Sequence, residues 1–380
     1  MKVLIIADVL GSENNGTTIA CMNLIRYLKS QGDEVNVVCC DQDKINKEGY
    51  YVVPSYNLGK FLNNYIKKNG VSIAKPDKNI LTKAIKETDI CHAMVPFPLA
   101  RKALKIAKKY GKPMTAGFHC QAENFTSHIF CKNVGFVNHL TYKNFYKHFY
   151  KHVDAIHYPT EFIKNVFENE TNCTTKAYVI SNGVNKCFVK KEIQKPDYLK
   201  DKFTILFIGR YSKEKSHDIL IKAVNESKYK DKIQLIFAGS GPRRKHINKL
   251  VDALNISKPI MEFFSREKLI EVINHSDLYC HPAEIEIEAI SCLEAISCGL
   301  VPVISNSKRC ATKNFAIDEK NLFECNNYFD LAKKIDYWIE NKEEKERYSN
   351  KYLESRGQFD YEECMKKMRN MLIDTLKENK

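Results

Sequence analysis

Short apolar runs alternate with amphipathic stretches along most of the chain. Residues 3–7 form an apolar, β-branched run that reads as a buried strand. A glycine-bearing loop, 11–16, follows. Over 17–31 the apolar residues Ile19, Met22, Leu24, Ile25 and Leu28 fall at helical spacing, and Gly32 ends that helix. Residues 35–39, 90–94, 114–118, 155–158 and 177–180 read as further strands. Around 185–202 charges and Pro196 dominate and the periodicity fades, as in a linker. The same grammar then restarts. Residues 203–208, 233–238, 278–281 and 301–305 read as strands, and 219–224 and 289–298 as helical, with Gly299 closing the latter.

Strands alternating with helices predict a parallel α/β architecture. Two such series imply two doubly wound, Rossmann-like domains, 1–184 and 203–360, joined by 185–202. Cys364, Met368, Met371, Leu372 and Leu376 mark an amphipathic helix within 361–380, expected to pack back on the first domain. Ligands of such sheets bind beyond the carboxyl ends of the strands, so two facing domains are expected to hold a cleft.

The length of 380 residues agrees with two domains. A hydrophobic fraction of 44% excludes wholesale disorder, and no run approaches the roughly 18 apolar residues of a membrane span. Sixty Lys and Arg against 46 Asp and Glu leave +14, a field that attracts anions. Only ten of the cations are Arg, which favours phosphates or lipid headgroups over base-reading nucleic-acid contacts. A merely Lys-rich composition without a partner gives the same balance. The 14 cysteines show no C-x-x-C and no zinc spacing, several sit in apolar runs, and the first residues are too short and β-branched a stretch for a signal peptide. The expectation is a reduced, cytoplasmic protein.

Four constellations carry chemistry. The loop 11–16 opens a helix, where free N–H groups and the dipole suit an anion and Gly16 permits close approach; a plain βα turn is the alternative. Gly209-Arg210 and Lys215 place two cations on a strand-exit loop, able to converge on a pyrophosphate or to be merely solvated. Glu284, Glu286 and Glu288 precede a helix carrying Glu294 among Leu293, Ala295 and Ile296, where a carboxylate needs a partner or a ligand hydroxyl. His119 ends a strand, placed to hydrogen-bond a substrate or to be structural.

Together these motifs resemble family 4 of the retaining glycosyltransferases of GT-B fold. The matching features are Gly209-Arg210 with Lys215, Glu286 and Glu294 with seven residues between them, Glu294-Ala295 leading to Gly299 and Pro302-Val303, Ile180 to Val184, and Gly239 to Pro242. The resemblance implies transfer of a hexose with retention from a nucleotide sugar, UDP-glucose or UDP-galactose, without cofactor or obligatory metal. It implies His119, Arg210, Lys215 and Glu286 at the reacting centre. It implies Gly16, Gly241, Ile290 and Glu294 around the donor, with Glu294 on the ribose. The family's glycines between the two glutamates are replaced by Ile287, Glu288 and Ala289, which leaves Glu284 and Glu288 as alternatives to Glu286. Asp41-Gln42-Asp43 resembles a metal-binding D-x-D but reads as a solvated turn.

The acceptor is expected to be a hydroxyl of a diacylglycerol-type lipid or a cell-envelope glycan precursor. Tyr142, Phe145, Tyr146, Phe149 and Tyr150 at helical spacing, beside Lys143, Lys147 and Lys151, suit a membrane interface or, equally, a core. The basic stretch 101–110 adds a second such face, so peripheral contact with the inner face of the cell membrane is expected and nucleic acid is not. An epimerase or phosphorylase of the same fold, or a non-enzymatic basic binder of membrane or nucleic acid, are the alternatives.

Overall fold

The computed structural model describes residues 1–8, 10–11, 16–57, 59, 72–127 and 134–379. The chain divides into two compact units, residues 1–182 with 362–380, and residues 183–361. Residues 12–15 of the loop after the first strand lie outside the described residues.

The first unit runs β1 (Lys2–Ile6), α1 (Gly16–Ser30), β2 (Glu34–Cys39), β3 (Tyr50–Val52), α2 (Lys78–Lys86), β4 (Ile90–Ala93), α3 (Pro98–Lys109), β5 (Met114–Gly117), α4 (Ala122–Ser127), α5 (Gly135–His148), β6 (Ala155–Tyr158), α6 (Glu161–Thr171) and β7 (Ala177–Val179). Its strands are ordered β3-β2-β1-β4-β5-β6-β7, all parallel. The inner strands are apolar nearly throughout and buried on both faces, as parallel strands covered by helices must be.

The second unit runs β8 (Phe203–Ile208), α7 (His217–Glu226), β9 (Ile233–Ala238), α8 (Arg244–Leu254), β10 (Ile260–Glu262), α9 (Arg266–His275), β11 (Leu278–His281), α10 (Ile290–Ser297), β12 (Pro302–Ser305), β13 (Leu322–Phe323), α11 (Tyr328–Glu340) and α12 (Lys342–Ser355). Its parallel order is β10-β9-β8-β11-β12-β13. Within the stretch 185–202, Phe188 and Leu199 are buried in this unit's core, and Lys195 pairs with Asp277 at 2.5 Å. The chain then returns: beyond its first residue, α13 (Tyr361–Glu378) belongs to the first unit. There it buries Cys364, Met365, Met368, Met371 and Leu372, while Arg369 grips Asp33 through Nε at 2.7 Å and Nη2 at 3.2 Å.

In both sheets the chain reverses its direction of travel once, between β1 and β4 and between β8 and β11. Loops leaving the carboxyl ends of those neighbouring strands part to opposite faces, which opens a crevice for ligands. The aromatic row of α5 is not a surface. Tyr142, Phe145, Phe149 and Tyr150 are buried, with Phe118 stacked on Tyr142 and Tyr150. Among the described residues no helix is long and apolar enough to cross a membrane.

Candidate active site

At the switch point of the second sheet, the loop after β8 lies directly on the loop after β9. Gly209 N–H donates to Ala238 O at 2.9 Å, Tyr211 N–H to Ser240 O at 2.8 Å, and Arg243 N–H to Tyr211 O at 3.0 Å. A Cβ on Gly239 would stand 2.1 Å from Gly209 O, and one on Gly241 2.7 Å from Tyr211 N and O. Gly241 is therefore required by backbone against backbone, and what it secures is the segment carrying Arg210. Arg210 is itself partly buried. Tyr211 anchors the loop from below through its hydroxyl to Phe237 O at 2.8 Å. A 3₁₀ turn over Lys213–Lys215 then carries the Lys215 side chain inward.

The loop after β11 meets it. Glu284 N–H donates to Glu214 O at 2.8 Å, and the Glu284 carboxylate faces Arg309 Nη1 at 3.3 Å. Two residues on, Glu286 pairs with the Lys215 ammonium and lies 3.4 Å from His281 Nε2. Its backbone is pinned by Glu286 N–H to Arg309 O at 3.3 Å and Ala311 N–H to Glu286 O at 2.9 Å. Burial alone raises the Glu286 pKa, but Lys215 and His281 more than reverse this and hold it at about 2. Of the three neighbouring acids, Glu286 is the one that reaches Lys215; Glu288 is buried.

Ala289 opens α10 in the left-handed region, φ 63° and ψ 68°, a conformation that favours glycine. Ile290 and Glu294 stand one turn apart on α10. Ile290 is buried, and Glu294 is partly buried with its carboxyl pushed by burial up to about 8, against the pull of Arg266. Among the described residues no hydrogen bond or ion pair engages that carboxyl, and its burial holds it largely neutral at pH 7.

In the first unit, Gly16 opens α1 at an exposed position, with nothing within 4 Å of where a Cβ would sit. Thr17 Oγ1 donates to His119 O at 3.4 Å, so the start of α1 and His119 are neighbours at the carboxyl end of the sheet. The His119 ring folds over Gly117 and lies 5.4 Å, centroid to centroid, from His157. Burial, then His157 and His92, hold His119 well below the usual histidine range, so it is neutral at pH 7. Asp41 is not a solvated residue. Its carboxylate accepts from Leu10 N–H at 2.7 Å and Gly11 N–H at 3.0 Å, securing the start of the β1–α1 loop, while Asp43 is exposed and pairs with Lys44 at 2.7 Å.

Arg210, Lys215, Gly241, Glu286, Ile290 and Glu294 thus belong to the second unit, and Gly16 and His119 to the first. Sequence reasoning missed His281, although β11 alternation puts it on one face with Tyr279. It also missed Gly117, Arg309 and the structural use of Asp41. Phe136 and Leu140, exposed at 69% and 48%, were overlooked beside the aromatic row.

Two family profiles match the chain: "Glycosyltransferase Family 4" over residues 14–186 and "Glycosyl transferases group 1" over 188–354. No curated protein matches it. Among solved structures, the chain is similar to HepE of Anabaena in complex with UDP and glucose, at 15% identity, covering 98% of this chain and 100% of that one with a TM-score of 0.73. It is similar to sucrose-phosphate synthase of Thermosynechococcus elongatus, at 13% identity, 98% of each chain and a TM-score of 0.77. It is also similar to the catalytic domain of cholesterol-alpha-glucosyltransferase of Helicobacter pylori, at 50% identity over 40% of this chain and 96% of that one, with a TM-score of 0.40.

Proposed function

Because the chain belongs to family 4 of the glycosyltransferases, group 1, we propose that it moves a hexose from UDP-glucose or UDP-galactose to an acceptor hydroxyl, with retention at the anomeric carbon. The observation that carries this reading is the meeting of Lys215 and Glu286 at the switch point of the second sheet, beside the clamped Arg210 loop. The HepE complex with UDP and glucose supports the donor class.

Breaking a sugar–diphosphate bond develops negative charge on the leaving nucleotide. Arg210 and Lys215 supply fixed positive charge there, so the reading needs neither metal nor resident cofactor. Preorganised groups of this kind are each worth on the order of 10² to 10³ in rate. Glu286 then accepts from hydroxyls of the transferred sugar, and Glu294 from the ribose diol, with Ile290 and Gly241 shaping the wall. Gly16 offers backbone N–H to the phosphate. Neutral His119 suits a sugar hydroxyl better than a phosphate, because it brings a hydrogen bond without charge.

The acceptor in this reading is a lipid hydroxyl or an envelope glycan precursor, reached from the inner face of the membrane. Support comes from α5, where Phe136 and Leu140 are exposed in line with Lys143 and Lys147, with Lys151 exposed just past the helix end. Calorimetry with UDP, UDP-glucose and UDP-galactose, followed by NMR of the product anomer, tests the whole. Arg210→Ala and Lys215→Ala are each expected to lower kcat/KM about 10²- to 10³-fold in a folded protein. Failure of the wild-type chain to bind any UDP-sugar, or near-wild-type turnover by either variant, overturns the reading.

A further inference from the structure

β11 turns Tyr279 and His281 to the same face of the sheet, two residues apart, and both are fully buried. A buried imidazole is costly unless its nitrogens find partners. Here Nδ1 lies 3.1 Å from the Tyr279 hydroxyl, whereas Nε2 makes no hydrogen bond and lies 3.4 Å from Glu286 Oε1, an electrostatic approach that shortening by a few tenths of an ångström would turn into a bond. The Tyr279 hydroxyl is also 3.3 Å from Ser291 Oγ, which in turn lies 3.2 Å from Ile208 O.

The protons in this chain can be ordered from one end. An ionised carboxylate only accepts, so the His281 tautomer that Glu286 favours carries its proton on Nε2, on the side facing that carboxylate. The bare Nδ1 must then accept from the Tyr279 O–H. The Tyr279 oxygen is left to accept, and the Ser291 O–H faces both it and the Ile208 carbonyl. The polar chain therefore runs in one direction, from α10 through β11 to Glu286. Both protein contacts of the Glu286 carboxylate fall on Oε1, and none of the described residues hydrogen-bonds Oε2.

We propose that His281, fixed as its Nε2–H tautomer by Tyr279, is a positioning residue that holds the Glu286 carboxylate with Oε2 turned to the hydroxyls of the transferred sugar. The inference rests on the function proposed above and deepens it. Lys215 cannot perform this task throughout the reaction. Its ammonium is a flexible point charge, and in the proposed reaction it turns to the diphosphate. His281 is rigid, enclosed and edge-on to Phe207, with ring centroids 5.6 Å apart, so it stays with Glu286 when Lys215 leaves. Burial keeps the ring neutral despite the opposing pull of Glu286, which leaves the tautomer as its one degree of freedom.

Two measurements separate this inference from the reading beneath it. In the free protein, ¹⁵N NMR of the imidazole is expected to show a protonated Nε2 and a bare Nδ1 at His281, and a mixture of tautomers in Tyr279→Phe. In transfer assays, His281→Phe and Glu286→Gln are each expected to lose about 10²-fold in kcat/KM, with UDP affinity within about twofold of wild type. The double variant is expected to be no worse than Glu286→Gln alone, because one residue acts through the other. His281→Gln, which keeps an N–H donor, is expected to recover part of the loss. An Nδ1–H tautomer, or losses that multiply in the double variant, overturns the positioning role. Absence of transfer from any UDP-sugar by the wild-type chain sinks the reaction instead, while the NMR result still decides the tautomer.

Discussion

Gly117 ends β5 without a side chain, and the His119 ring occupies the space that one would need. A Cβ at that position would stand 2.5 Å from His119 Nε2 and 2.6 Å from Cδ2. Something must give, and the strand backbone is held on both sides by β4 and β6. The ring is therefore what moves. Gly117→Ala is expected to lower transfer about 10²-fold through that displacement, the usual cost of a misplacement of about 1 Å. UDP affinity should be unchanged, since the cations assigned to it stand in the other unit. Transfer within twofold of wild type would disprove the assignment of His119 to the reacting sugar. Gly117 also shows what was legible at this scale. Arg210, Lys215, Glu286 and Glu294 could be singled out because their chemical types stand together at the spacing of a family motif. Gly117 could not, because its reason is a clash with a ring two residues ahead that only the bend after β5 creates. His281 was half legible: alternation pairs it with Tyr279, but only the fold brings Glu286 to its other nitrogen.

Helix α5 presents two faces with different duties. Tyr142 and Phe145 are buried, with the Tyr142 hydroxyl donating to Glu123 Oε2 at 2.7 Å. Phe136, Leu140, Lys143 and Lys147 follow one another at steps of four, three and four, which is a single stripe of a 3.6-residue helix, and it is the exposed one. Lys151 is exposed just past the helix end. Exposed apolar groups followed by a row of cations fit an anionic bilayer, where each cation contributes about 1 kcal/mol. Wild-type protein is expected to sediment with phosphatidylglycerol vesicles and to be released by salt. Phe136→Ser with Leu140→Ser, and separately Lys143→Glu, Lys147→Glu and Lys151→Glu together, should weaken binding at least tenfold without changing the melting temperature. Equal sedimentation of all three proteins would discard this face. The sequence left this helix open between interface and core, because aromatic content marks a helix as amphipathic without saying which side meets the core. Its strands were read better where they were long or apolar. β3, β10 and β13 escaped because they have three, three and two residues at the margins of their sheets, too short for any period to show.

Across the whole molecule, both sheets enclose histidines that folding keeps neutral. His92 and His217 are held at about 3 and His157 at about 4, each by burial, and His119, His275 and His281 are also lowered. Below pH 6.5 the unfolded chain takes up protons at these positions that the folded chain refuses. Stability must therefore fall as pH falls from 6.5, for His92, His157 and His217 by about 1.4 kcal/mol per pH unit each until the folded values are reached, and for the other three in the same direction. Glu294 at about 8 and Asp8 at about 7 act in the opposite sense, since burial makes the folded chain keep protons that the unfolded one has already released. Six groups against two leave a net loss, and protonation adds to a chain already at +14. The melting temperature is thus expected to drop steadily from pH 6.5 to 4.5. His217 isolates one share of this slope. Neither of its ring nitrogens has a hydrogen-bond partner, and its ring lies 4.7 Å from Phe207, 5.0 Å from Phe237 and 5.2 Å from Tyr211, an aromatic box that a phenylalanine fits. His217→Phe should melt no lower than wild type at pH 7.5 and should lose less on acidification, by about one proton's worth of slope. Parallel pH profiles for the two proteins, or a wild-type melting temperature that stays level down to pH 5, would refute the idea that buried imidazoles set the acid limit of this fold.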